Sequence, residues 1–131
     1  MVDSPEEDYE SLSGHRQETP ERTWNMTRGF LSVALPEGGA EAEAVLLVVA
    51  ELVTNAVRHG GGVAGFQLAA GPGTVTVSVK DASPVPPQPR PFDAREPGGL
   101  GWHLVQELAL EVRVDIGPGG KTVSAVLPVP R

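Results

Sequence analysis

From Pro20 to Leu35 the apolar positions recur at helical steps. Trp24, Thr27, Leu31 and Leu35 stand three or four residues apart and predict an amphipathic helix over 20–35. Thr19-Pro20-Glu21 opens it with a side-chain acceptor at the N-cap, a proline at the first helical position and an acid in the first turn. Pro36-Glu37-Gly38-Gly39 ends it. The run Ala42 to His59 contains neither Pro nor Gly and is apolar nearly all round, which predicts a second helix, about 40–59, buried on more than one side and stopped at Gly60-Gly61-Gly62. Strand signals follow. Val63 to Ala70 predicts a strand, Gly71-Pro72-Gly73 its turn, and Thr74 to Lys80 alternates with period two as a half-buried strand does. Six prolines between residues 82 and 97 exclude helix and ladder strand there. A third helix is expected from Trp102 to about Leu110, after Gly101. Strands Glu111–Ile116 and Thr122–Val129 close the chain, joined by Gly117-Pro118-Gly119-Gly120. The order α-α-β-β-loop-α-β-β predicts a two-layer α/β sandwich, its sheet mixed but mostly antiparallel, with the helices on one face. No internal repeat is present.

Charge divides the chain. Residues 1–21 carry seven acids against Arg16 alone, while the remaining 110 residues carry ten acids and nine bases. The acidic, Ser/Glu-rich start predicts a disordered tail over residues 1–18 ahead of one domain at 19–131. Without a basic patch the domain does not suit nucleic acid as its main partner. Cysteine is absent, which excludes disulfides and thiolate metal sites. No 18-residue apolar stretch suggests a membrane span and no leader pattern suggests export, so a cytoplasmic protein is expected.

Against that background the polar residues of the second helix stand out. Glu51 and Asn55 are four apart and project from the same face of an otherwise apolar helix. Alone, the pair reads as rim residues satisfied by water or by each other. Three further features fall where an ATP site would need them. Asp81 ends the alternating strand and leads into Ala82-Ser83-Pro84; a carboxylate there can accept from the exocyclic amine of adenine, and the Ser83 hydroxyl can hold a water on the ring. The bland alternative is an Asx or Ser turn. Gly98, Gly99 and Gly101 precede the third helix, where free backbone N–H groups and the helix N-terminus attract an anion; a plain hinge is the alternative. Thr122, after a glycine turn, brings a hydroxyl within reach of the adenine end, or is ordinary hairpin chemistry.

Two phosphate loops fail on inspection. Gly119-Gly120-Lys121-Thr122 imitates the end of a P-loop, yet Asp115 occupies the position of its first glycine and a β-branched strand follows. Gly99-x-Gly101 reaches Leu104 where a dinucleotide fingerprint needs glycine.

The segment Glu51-Leu52-Val53-Thr54-Asn55-Ala56-Val57-Arg58-His59-Gly60 resembles the N box of the ATPase superfamily that includes gyrase, heat-shock chaperones, histidine kinases and mismatch-repair proteins. Asp81-Ala82-Ser83-Pro84 resembles its first glycine box, although glycine usually stands where Ser83 does. Gly98-Gly99-Leu100-Gly101-Trp102-His103-Leu104-Val105 resembles its second, and Gly120-Lys121-Thr122 its terminal threonine. The wording of the N box and the short chain are most similar to the bacterial anti-sigma-factor serine kinases.

The resemblance covers about residues 20–129 and implies the Bergerat ATP-binding fold. It implies that Asn55 ligates Mg2+, that Glu51 takes the proton of a substrate serine, that Asp81 holds adenine with Ser83 and Thr122 beside it, and that Gly98, Gly99 and Gly101 close over the phosphates. It implies ATP and Mg2+ as cofactors, a sigma factor or similar regulator as one partner, and an anti-anti-sigma protein as the phosphorylated one. Relatives often begin with a strand that helps dimers form. Residues 1–18 lack that pattern, so monomer and homodimer both stay open. Two rival functions use the same site: an ATP-gated interaction switch without phosphotransfer, and a stand-alone histidine-kinase-like catalytic domain.

Overall fold

The computed structural model describes residues 18–83 and 99–130. Among them the elements run α1 (Pro20–Ala34), α2 (Ala40–His59), β1 (Gly65–Gly71), β2 (Thr74–Asp81), α3 (Gly99–Leu108), β3 (Glu111–Gly117) and β4 (Gly120–Pro128). The strands form one open antiparallel sheet in the order β1-β2-β4-β3. With the helices laid on one face, this is the α/β sandwich that the order of elements predicts, and no parallel pair occurs among these strands.

At the start of α1 the Thr19 hydroxyl accepts from the Arg22 N–H at 3.1 Å, with Pro20 at the first helical position. Its inward face differs from the expected stripe by one position. Thr23, Thr27 and Leu31 are buried, whereas Trp24 is 38% exposed. Two buried hydroxyls become tolerable because each is satisfied within the helix: Thr23 Oγ1 donates to the Pro20 carbonyl and Thr27 Oγ1 to that of Thr23, both at 2.8 Å. Just ahead of the helix, the Glu18 N–H donates to the Val63 carbonyl at 2.8 Å and its carboxylate meets Arg22 Nε at 2.9 Å. Glu18, expected to end the acidic tail, therefore belongs to the folded body. The rest of that expected tail, residues 1–17, lies outside the described residues, as does most of the Pro-rich loop.

The centre of the fold is α2, which touches α1, α3, β2 and β4. It buries Val45, Val48, Val49, Leu52 and Val53. Such side chains contribute about 1.5–3 kcal/mol each when fully buried, so this helix is anchored by its apolar face and not by its polar one. Beneath it, Val75, Val77 and Val79 of β2 and Val123, Ala125 and Leu127 of β4 form the floor of the core. The opposite face of the sheet is polar; Ser78 and Ser124, cross-strand partners, share a 3.0 Å hydrogen bond there.

Candidate functional site

Successive side chains of a helix repeat their direction every three to four residues, so Glu51 and Asn55 emerge together from the C-terminal half of α2. Both are half-buried, and neither side chain makes a hydrogen bond among the described residues. Burial by the surrounding protein raises the Glu51 pKa above the ordinary glutamate value near 4.5. What lies over it is α3. A Cβ built on Gly101 would overlap the Glu51 carboxylate, so glycine is what leaves that side chain its present place against α3. The glycine run therefore sits in a different element from the one expected. Gly99 and Gly101 do not form a loose loop before a helix starting at Trp102; they lie within the first turn of α3, which begins at Gly99. Helix can start on glycine here because the first-turn N–H groups need no intrahelical partner and because Trp102 and Val105 are buried behind them. Those N–H groups remain available to an anion. Gly98 lies outside the described residues.

Nine residues after Glu51, α2 ends at Gly60, a rise of roughly 13 Å along the helix axis. Gly60 sits on Asp81 as Gly101 sits on Glu51: a Cβ there would run into the Asp81 carboxylate. The Ala82 N–H donates to the Gly60 carbonyl at 3.2 Å and ties the end of β2 to the end of α2. Asp81 is buried, and its carboxylate is held on several sides. Lys121 Nζ stands 3.0 Å from Oδ1 and 2.9 Å from Oδ2, and the Ser83 N–H donates to Oδ1 at 2.8 Å. The last contact is an Asx turn, the bland reading of this segment. It does not exhaust the carboxylate, which has about four acceptor sites.

Thr122 is not part of this cluster. Lys121 is the cross-strand partner of Asp81, while Thr122 pairs with Lys80 and Asp115. Neighbours along a strand point to opposite faces, so the threonine side chain lies on the outer face of the sheet, away from Asp81. Lys121 is the residue that the sequence reading passes over, although the signal is present. Val123, Ala125 and Leu127 set the buried phase of β4, and Lys121 shares that phase where Thr122 does not.

The arrangement has two ends set apart by α2: a carboxylate under an N-terminal helical turn with an amide on the same helix face, and a buried acid–ammonium pair under Gly60. Asn55 offers one neutral oxygen to a cation on the helix face it shares with the Glu51 carboxylate. Among the described residues no group of three or more His, Asp and Glu side chains could cage a metal. The donor set fits Mg2+, which keeps several waters and takes phosphate oxygens in place of an all-protein cage. The other end fits a nucleobase edge, because Asp81 keeps acceptor capacity in a dry place.

A model of the histidine kinase-like ATPase domain matches residues 17–127. Among solved structures the chain is similar to the histidine kinase domain of the blue-light activated histidine kinase from Erythrobacter litoralis EL346, at 26% identity and a TM-score of 0.48 over 67% of this chain and 44% of that one. The same organism's kinase appears again at 29% identity and a TM-score of 0.45, covering 67% and 30%. The histidine kinase domain of the E. coli osmosensor EnvZ matches at 20% identity and a TM-score of 0.48, covering 88% of this chain and 92% of that one. The chain thus spans less than half of the Erythrobacter proteins it matches. No curated protein gives a significant match. No helix among the described residues is long and apolar enough to cross a membrane.

Proposed function

Because this chain belongs to the histidine kinase-like ATPase domain family, we propose that it is a cytoplasmic, ATP-dependent regulator of the anti-sigma serine-kinase type. In this reading it binds a sigma factor or comparable regulator and phosphorylates a serine on an anti-anti-sigma partner. One observation carries the reading: the Glu51 side chain, on the same face of α2 as Asn55 and without a side-chain hydrogen bond among the described residues, lies against Gly101 in the first turn of α3. A helix rim with no ligand to meet has no use for that convergence of base, cation ligand and anion-binding turn.

When bound, Mg-ATP supplies the phosphoryl group, and the metal neutralises the charge that develops on it. The protein's part is positioning and proton transfer. Asn55 would hold the metal through its amide oxygen. The first-turn N–H groups of α3 would receive phosphate oxygens. Glu51 would accept the proton of the attacking serine hydroxyl, a task favoured in a carboxyl whose pKa burial raises above the ordinary glutamate value. Asp81 would accept from the base at the far end of α2.

The test is incubation of the protein and Mg-ATP with candidate sigma-like and antagonist proteins, followed by mass mapping of the phosphorylated residue. Phosphoserine on the antagonist is the expected result. Phosphohistidine would move the protein to the histidine-kinase-like role, and ATP-dependent partner binding without any phosphorylation would make it a switch.

A further inference from the structure

We infer that Lys121 turns the base end of the site into a matched carboxylate–ammonium pair, one that accepts 6-oxopurine nucleotides as well as adenine nucleotides. The inference rests on the proposed nucleotide site and concerns its base specificity.

Asp81 and Lys121 face each other directly across β2 and β4, and their side chains are only 4% and 6% exposed. Gly60 covers the carboxylate on one side and Gly120 lies against the Asp81 backbone on the other, each too close for a Cβ. The pair is therefore seated, and a base that reaches it meets both charges together. Each partner keeps one free hand. Oδ1 already takes the Ser83 N–H, but Oδ2 has Lys121 alone among the described residues. Lys121 Nζ stands within 3.0 Å of both Asp81 oxygens, and it reaches the Ser83 carbonyl only at 3.4 Å, beyond the usual range, so that last contact is the one most easily redirected.

Adenine presents a donor, its 6-amine, next to an acceptor, N1. A 6-oxopurine presents the reverse: an acceptor, O6, next to a donor, N1–H. A lone carboxylate meets one atom of either edge, the 6-amine of adenine or the N1–H of a 6-oxopurine, and leaves the neighbouring acceptor without a donor. A carboxylate beside an ammonium reads both. With adenine, Asp81 accepts from the amine and Lys121 donates to N1. With a 6-oxopurine, the ring shifts in its plane, Lys121 donates to O6 and Asp81 accepts from N1–H. Lys121 thus supplies the second partner in both cases, and neither base is left with an unmatched atom.

Calorimetric titration with ADP and with inosine 5′-diphosphate, each with Mg2+, tests this on the parent protein and on Lys121→Met, which keeps the aliphatic stem and deletes the ammonium. The parent is expected to bind the two within about tenfold of each other. Lys121→Met should weaken both nucleotides by about 5- to 150-fold, the range for one unmatched buried polar group, because each base loses the donor to its acceptor. A variant that binds either nucleotide as tightly as the parent would overturn the inference, and so would a parent preference for ADP above about tenfold. Should Lys121→Met fail to fold with Asp81 left unpaired, the ratio for the parent decides alone. A parent that binds ADP without the expected ratios refutes only the inference; one that binds neither nucleotide refutes the nucleotide site itself.

Discussion

Gly101→Ala is the substitution that presses hardest on the site. The added Cβ would overlap the Glu51 carboxylate and stand 2.9 Å from its Cγ. Non-bonded carbons rest about 3.5–4.0 Å apart, so even Cγ must retreat by about 0.6 Å or more and the carboxylate further. Stability should hardly register this. Overpacking costs about 1–3 kcal/mol, but Glu51 is half-exposed and can swing toward water, which keeps the cost near the low end. Alanine in place of glycine returns up to about 1 kcal/mol of helix propensity, so the net change is expected within about 1 kcal/mol. Phosphotransfer should suffer far more, because a misplacement of about 1 Å costs on the order of 100-fold in rate. The assay pairs initial rates of partner phosphorylation with ADP affinity and a thermal melt. A double variant removes the ambiguity between a displaced base and a disturbed phosphate turn. If Gly101 acts through Glu51, then Gly101→Ala combined with Glu51→Gln should be no slower than Glu51→Gln alone, since glutamine has no proton-accepting role left to lose. A single variant that transfers phosphate at the parental rate, or a double variant whose losses simply multiply, would refute the coupling.

Glu51→Gln alone should leave ATP affinity nearly unchanged while phosphotransfer falls about 100- to 10,000-fold, measured side by side with the parent. Because burial raises the Glu51 pKa, the parent's rate should fall as pH drops through a limb lying above the ordinary glutamate range, and the variant should lose that limb. The same shift has a sign for stability: a folded pKa above the unfolded one stabilises below the unfolded pKa, and this contribution is lost as pH rises through the folded value. Urea denaturation at neutral pH should therefore find Glu51→Gln no less stable than the parent. Asn55→Ala should weaken Mg-ATP binding and leave metal-free nucleotide binding closer to normal, with helicity retained because the apolar face of α2 anchors it; equal Mg-ATP affinities would remove Asn55 from the metal. Thr122→Val should leave ATP affinity unchanged to within about 0.5 kcal/mol, since its side chain lies on the outer face of the sheet; a large calorimetric loss would contradict that placement.

Local chemistry makes most of the fold legible. The Thr19-Pro20 cap, the glycines after His59 and the alternation of β2 act within a few residues, so the two long helices and the strands fall nearly where the pattern puts them. The N-box pair is legible for the same reason, as Glu51 and Asn55 share a face by helical geometry alone. Sequence and structure part where phase or distance matters. Trp24 gives way to Thr23 because hydroxyls that bond their own helix can face a core, which hydrophobicity alone does not reveal. The glycines of α3 read as a loop because nothing local says that Gly101 must rest on Glu51, fifty residues earlier in the chain. Asp81 likewise meets Lys121 only because β2 and β4 pair in one register out of several that the same alternation permits. Periodicity tells which residues of an element share a face. Which face of which element it meets is a non-local choice, made by the packing of the whole core, and the base end of this site exists only once that choice is made.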